Sequence, residues 1–137
     1  MLALYITLGV IALLAVIITV WIISTRNSFV RLRNNVEEAY STMDVCLKKR
    51  YDLIPNLVET VKGYAKHEKE TLDAVITARS KVSVAGNAED RAKAEGELTT
   101  TLRSLMVLTE NYPDLKANSN FTDLQNQLKT LEYEISN

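Results

Sequence analysis

Reactive side chains are scarce in this chain. Its one cysteine, Cys46, has no second thiol to bridge, so no internal disulfide can form. With no glycine-flanked motif and no histidine beside it, its default reading is a small packing residue. The one histidine opens His67-Glu68-Lys69-Glu70-Thr71 and lacks the second histidine that a zinc-protease helix carries four residues on. Four glycines and two prolines leave no glycine-rich phosphate loop and few helix breaks. Together with 47% hydrophobic residues, they point to an all-α fold. A formal net charge of -1 gives no global pull toward nucleic acid. Asp52, Glu59 and Glu68 have neither a nucleophile nor a metal ligand beside them, and helix capping and surface pairing account for them. No enzyme activity, cofactor, metal or small-molecule substrate is therefore expected.

Apolar patterning is what the chain has in quantity. Leu2 to Ile23 is a run of 22 residues softened only by Thr7, Gly9 and Thr19. As a helix it measures about 33 Å, enough to cross a bilayer. A cleaved signal peptide is the rival reading. The run has no basic residue before it, exceeds a usual signal core, and ends in Ile22-Ile23-Ser24-Thr25 without small residues at both cleavage positions. Residues 1–25 are expected to be an uncleaved anchor. Tyr5 and Trp21 fall where interfacial aromatics belong, and Arg26, Arg31 and Arg33 follow the span while no Lys or Arg precedes it. The positive-inside rule then leaves a short N-terminus outside and puts residues 26–137 in the cytoplasm.

No proline, glycine or low-complexity linker separates the anchor from an amphipathic stripe at Val36, Tyr40, Met43, Leu47, Tyr51, Ile54, Val58, Val61 and Ala65. Steps of three and four place these on one side of a helix over about 28–66, which the membrane segment can enter directly. The opposite side carries mixed charge: Arg33, Glu37, Glu38, Asp44, Lys48, Asp52, Glu59 and Lys62. Pro55 interrupts the stripe's hydrogen bonding without changing its phase. It takes the donor from the carbonyl of Tyr51, and so either kinks the helix or starts a new one with Asp52 as N-cap. Gly63 weakens the helix near its end.

A second helix is expected over about 68–85, with Leu72, Val75, Ile76, Arg79 and Val82 on one side. Gly86 follows as a left-handed C-cap, and Asn87 with Asp90 as a loose capping box. A third helix, about 88–111, shows Leu98, Leu102, Leu105 and Thr109, and the small residues Ala92, Ala94 and Gly96 suit a close helix approach. Asn111-Tyr112-Pro113-Asp114 stops it. A last helix, about 120–136, opens on Asn120 with Asp123 as cap and partner and carries Phe121, Leu124, Leu128, Leu131 and Ile135. One-sided apolar helices joined by short turns can bury those faces only against each other or another chain, which predicts an up-down bundle of long antiparallel helices.

The ordered series Arg31-Leu32-Arg33-Asn34-Asn35-Val36-Glu37-Glu38-Ala39-Tyr40, Met43-Asp44-Val45, Leu47-Lys48-Lys49-Arg50-Tyr51-Asp52-Leu53-Ile54-Pro55-Asn56-Leu57-Val58, Val61-Lys62-Gly63-Tyr64-Ala65 and His67-Glu68 resembles the LemA family. Asn111-Tyr112-Pro113-Asp114-Leu115-Lys116-Ala117 and Phe121-x-x-Leu124-Gln125 fit the same family. The resemblance implies a bacterial inner-membrane protein with one N-terminal span, a cytoplasmic helical bundle and no defined biochemical role. Members of that family continue past Ile135-Ser136-Asn137 to lengthen the last helix, so the stripe on the first helix is expected to be partly uncovered here.

Within the series, Tyr40, Lys48, Lys49, Arg50, Tyr51, Pro55 and Asn56 are the candidate interaction residues. Three adjacent cations fall short of a lipid-binding cluster, and Lys48-Lys49-Arg50 reads first as a solvated helix face. Tyr40, Tyr51 and Tyr64 read first as core packing. Two functions follow. One is a scaffold that binds copies of itself, as a coiled coil or homo-oligomer, or another membrane-associated protein. The alternative is a membrane-linked sensor working through the Pro55 region of the stalk.

Overall fold

A computed structural model describes residues 1–136, and every regular element among them is helical. The elements are α1 (Leu2–Lys62), α2 (Lys69–Val84), α3 (Ala88–Thr109), a single turn α4 (Pro113–Lys116), and α5 (Ser119–Ser136). The chain divides into two compact units, Met1–Thr42 and the described residues from Met43 on.

The first unit is helix throughout. It holds the one described helical stretch long and apolar enough to cross a membrane, and none of that stretch is buried against protein. Nothing between Leu2 and Thr42 breaks the backbone pattern, so the apolar run passes straight into the polar segment as the sequence predicts. Tyr5 and Trp21 stand exposed on it. Arg26, Arg31 and Arg33 are exposed too, with Arg33 Nε donating to Glu37 at 3.0 Å one turn on. Phe29, Leu32, Val36 and Tyr40 also face outward. Tyr40, expected in a core, is 65% exposed because no other element of its unit covers it.

In the second unit, the last part of α1 packs its stripe with the other four helices. Ile54, Leu57, Val58, Val61 and Ala65 meet Leu72, Val75, Ala78, Leu98, Leu102, Leu105, Leu115, Phe121, Leu124 and Leu128 in one continuous core. Each buried Leu or Ile here removes enough apolar surface from water to contribute about 1.5–3 kcal/mol. The stripes on α3 and α5 are buried as the periodicity predicts, through Leu98, Leu102, Leu105 and Thr109, and through Phe121, Leu124, Leu128 and Leu131. On α2 the buried line runs Leu72, Val75, Ala78, leaving Ile76 nearly half exposed.

Several turns differ from expectation. α1 ends at Lys62, short of residue 66, and Gly63 and Tyr64 turn back onto Glu59 and Val61 carbonyls. Gly86 is not left-handed: Ala85 leaves α2 in an extended conformation and carries the chain to Asn87. Asn87 caps α3 as predicted, its Oδ1 accepting from the Asp90 amide at 2.8 Å. Gly96 has open space where a Cβ would go, so it permits no close approach; Ala94 is the small residue that is buried. Pro113 stops α3 and also starts α4, at a first-turn position where its missing amide costs nothing. α5 is capped by Asn118, whose Oδ1 accepts from the Phe121 amide at 2.9 Å, and not by Asn120, which donates to Thr60 Oγ1 at 3.1 Å.

Candidate interaction site

The segment Cys46–Pro55 of α1 carries most of the candidate residues, and the structure separates them into three environments. Lys48 and Lys49 are the solvated part. Lys48 Nζ bonds Asp52 Oδ2 at 3.0 Å on the exposed face, one turn away, a pair that contributes a few tenths of a kcal/mol. Asp52 is thus a helix-face acid and not an N-cap. Lys49 lines an open groove with Leu53 of α1 and Asn126, Thr130 and Glu134 of α5. The Asn56 side chain is exposed, and its carbonyl accepts from Thr60 Oγ1 at 2.8 Å.

Arg50 is the opposite case and corrects the solvated reading of the basic run. It is 1% exposed. It lies three residues after Leu47 and four before Ile54, both buried, so the stripe's own spacing turns it inward. Its guanidinium joins three helices: Nη1 donates to Thr99 Oγ1 of α3 at 2.7 Å and to a carboxylate oxygen of Glu132 on α5, and Nη2 donates to Glu95 Oε2 of α3. A planar fork of donors suits this arrangement as an ammonium would not. Nε alone lacks a partner. One turn earlier, the buried Cys46 Sγ donates to Glu134 Oε2 at 3.1 Å. That bond to a carboxylate, with burial second and the Glu134 charge third, pushes the thiol above its ordinary pKa. α5 therefore sends Glu132 and Glu134 to two neighbouring sites on α1.

Pro55 sits in the third environment. α1 runs through it as one helix, so no new helix starts at Asp52. The proline leaves the Tyr51 carbonyl without its usual amide donor, and Arg79 Nε of α2 donates to that oxygen at 3.1 Å. The Arg79 guanidinium also lies over the Tyr51 ring, 3.9 Å from its centroid. Tyr51 is half-buried under this cation, and Tyr64 is exposed with its hydroxyl accepting from Asn118 Nδ2 at 3.0 Å. Neither is a core tyrosine. Near the far end of the unit, Tyr112 donates to Glu68 Oε1 at 2.8 Å, and this bond is the main cause raising the phenol above its ordinary pKa.

Sequence reasoning missed Glu95, Thr99, Arg79 as a carbonyl partner, Glu132 and Glu134. A signal existed for the first two and for Glu132: Glu95 lies three before Leu98, Thr99 directly follows Leu98, and Glu132 lies four after Leu128. Polar residues at such flanking positions are brought to the edge of a buried face. Among the described residues, no group of three His, Cys, Asp or Glu is placed to hold a metal ion.

These features define an all-helical protein with one long apolar N-terminal helix and an internally cross-linked helical unit. The chain belongs to the LemA family, whose sequence model matches residues 39–137. It is 25% identical over 114 residues to Protein LemA of Metamycoplasma hominis, an alignment covering 82% of this chain and 52% of that protein. The chain thus spans about half the length of the curated relative it matches.

Proposed function

We propose that this protein is a single-span bacterial inner-membrane scaffold, its short N-terminus outside and its helices in the cytoplasm as an up-down bundle, that assembles with copies of itself or binds another membrane-associated protein without catalysis. The observation that carries this reading is the row Phe29, Leu32, Val36 and Tyr40, large apolar side chains left more than half exposed on the helix just after the anchor. Their spacing of three, four and four residues puts them on one side of the helix, where a second helix could cover them. Anchoring in one plane raises the effective concentration of such faces and aligns them in parallel. The buried ties of Arg50 fit a rigid support better than a reaction chamber.

Crosslinking tests this. With Cys46 changed to Ser, a single cysteine at Val36 should form a disulfide dimer on mild oxidation in native membranes, while one at Glu38, on the charged face, should not. No dimer from Val36, together with a monomeric mass in detergent and no co-purifying protein, would sink the proposal.

A second reading, a sensor working through the Pro55 region, draws support from the Arg79–Tyr51 bond. It makes the helix at that point depend on a side chain of α2. Proline there is a natural place for two arrangements of one helix. In that case Pro55→Ala should change the output of the cell's response while leaving membrane insertion intact.

A further inference from the structure

We propose that the cleft between α3 and α5 is a binding site for a medium-chain alkyl carboxylate. The cleft has a volume of about 320 Å³ and is lined by Leu102, Met106 and Leu128 with Arg103, Gln125 and Lys129. Its geometry follows from two fixed points. At one end Thr99 and Glu132 share the Arg50 guanidinium, and at the other Gln125 Nε2 donates to Met106 Sδ at 3.6 Å. Thr99 precedes Met106 in α3 while Glu132 follows Gln125 in α5, so the helices run in opposite directions here and Leu102, Arg103, Leu128 and Lys129 fall midway. The floor is apolar, since Leu102 and Leu128 are buried and Met106 is half-buried.

The charge around that floor is unbalanced. Of the three cations on α3, Arg91 pairs with Asp44 and Lys93 with Glu89, whereas Arg103 makes no ion pair or hydrogen bond among the described residues. Lys129, the sole cation of α5, has none either. The one acid in the lining, Glu132, is paired to Arg50, which it shares with Glu95, so the two free cations still outnumber the acid charge left over at that end. Gln125 offers amide protons to a thioether, a weak acceptor that a carboxylate oxygen would replace. Two unpaired cations and an amide donor beside an apolar floor match one anionic head on a short hydrocarbon tail. The volume lies at the small end of the range for ligand pockets, which favours a tail of medium length.

The test uses the full chain in lipid nanodiscs with 13C-methyl methionine. Only Met1, Met43 and Met106 contribute signals, and Met106→Leu assigns the one in the cleft. Octanoate should shift the Met106 methyl saturably and leave Met1 and Met43 unmoved, and octylammonium should not shift it. Changing Arg103 and Lys129 together to Gln should weaken octanoate binding about tenfold or more, the loss expected for at least one charge-assisted contact. Met106 unmoved by octanoate, an equal shift with octylammonium or octanol, or unchanged affinity in the double variant would each overturn the proposal.

Discussion

Arg50 concentrates the energetics of this molecule in one side chain. A buried ion pair is not in itself strong evidence of stability, because both charges lose their water. Removing one partner is a different matter. Arg50→Ala leaves Glu95, 12% exposed, with an uncompensated charge and strands the more open Glu132, so the expected cost is about 3 kcal/mol or more. Arg50→Met combined with Glu95→Gln and Glu132→Gln keeps the volume and removes the stranded charges, and should recover most of that loss. Urea unfolding followed by circular dichroism measures both. If Arg50→Ala is as stable as the unmodified chain, the three-helix tie is not energetically significant.

The same residue marks what the sequence could and could not convey. Periodicity placed the stripes of α3 and α5 correctly because Leu98, Leu102, Leu105, Phe121, Leu124 and Leu128 repeat at helical spacing without ambiguity. Arg50 shares the phase of Leu47 and Ile54, yet a run of three cations suggests solvent. Spacing alone turns it inward, but which carboxylates it meets, 45 and 82 residues away, carries no local signature. The turns failed for a similar reason. Asn118 and Asn120 are both sound N-caps by composition, and Gly86 is a sound C-cap; the choice among such candidates is made by where the next helix must start to bury its face.

At the scale of the element, α1 is a helix maintained across a residue that opposes it. A proline inside a helix costs about 3 kcal/mol, partly through the lost hydrogen bond. Arg79 offsets part of this from outside the helix. Arg79→Ala should destabilise the fold by about 1–3 kcal/mol, by leaving the Tyr51 carbonyl unpaired and removing the cation from the ring. In a Pro55→Ala background the restored amide serves that carbonyl, so the same Arg79→Ala change should cost measurably less. A double-mutant cycle by thermal unfolding gives the coupling, expected to be about 1 kcal/mol. Purely additive effects would show that the bond at 3.1 Å contributes nothing.

For the molecule as a whole, the two raised acids set a pH dependence. Cys46 and Tyr112 both have folded-state pKa values above their ordinary ones, because each donates its proton to a carboxylate. Folding therefore favours their protonated forms. That stability is complete below the unfolded pKa values, about 8.5 for a thiol and 10 for a phenol, and is lost as pH rises through the higher folded values. Unfolding midpoints measured from pH 7 to 10.5 should fall with rising pH. Glu134→Gln and Glu68→Gln should flatten the decline by removing the carboxylate acceptors. A profile unchanged by both variants would contradict this assignment.

The Arg79 bond also has an evolutionary corollary. A backbone acceptor orphaned by an imino acid on one helix is served by a guanidinium from another, so the two sites form a chemical couple separated by 28 residues. Within the family, chains that discard the arginine should tend to discard the proline with it, or recruit a new donor from the neighbouring helix.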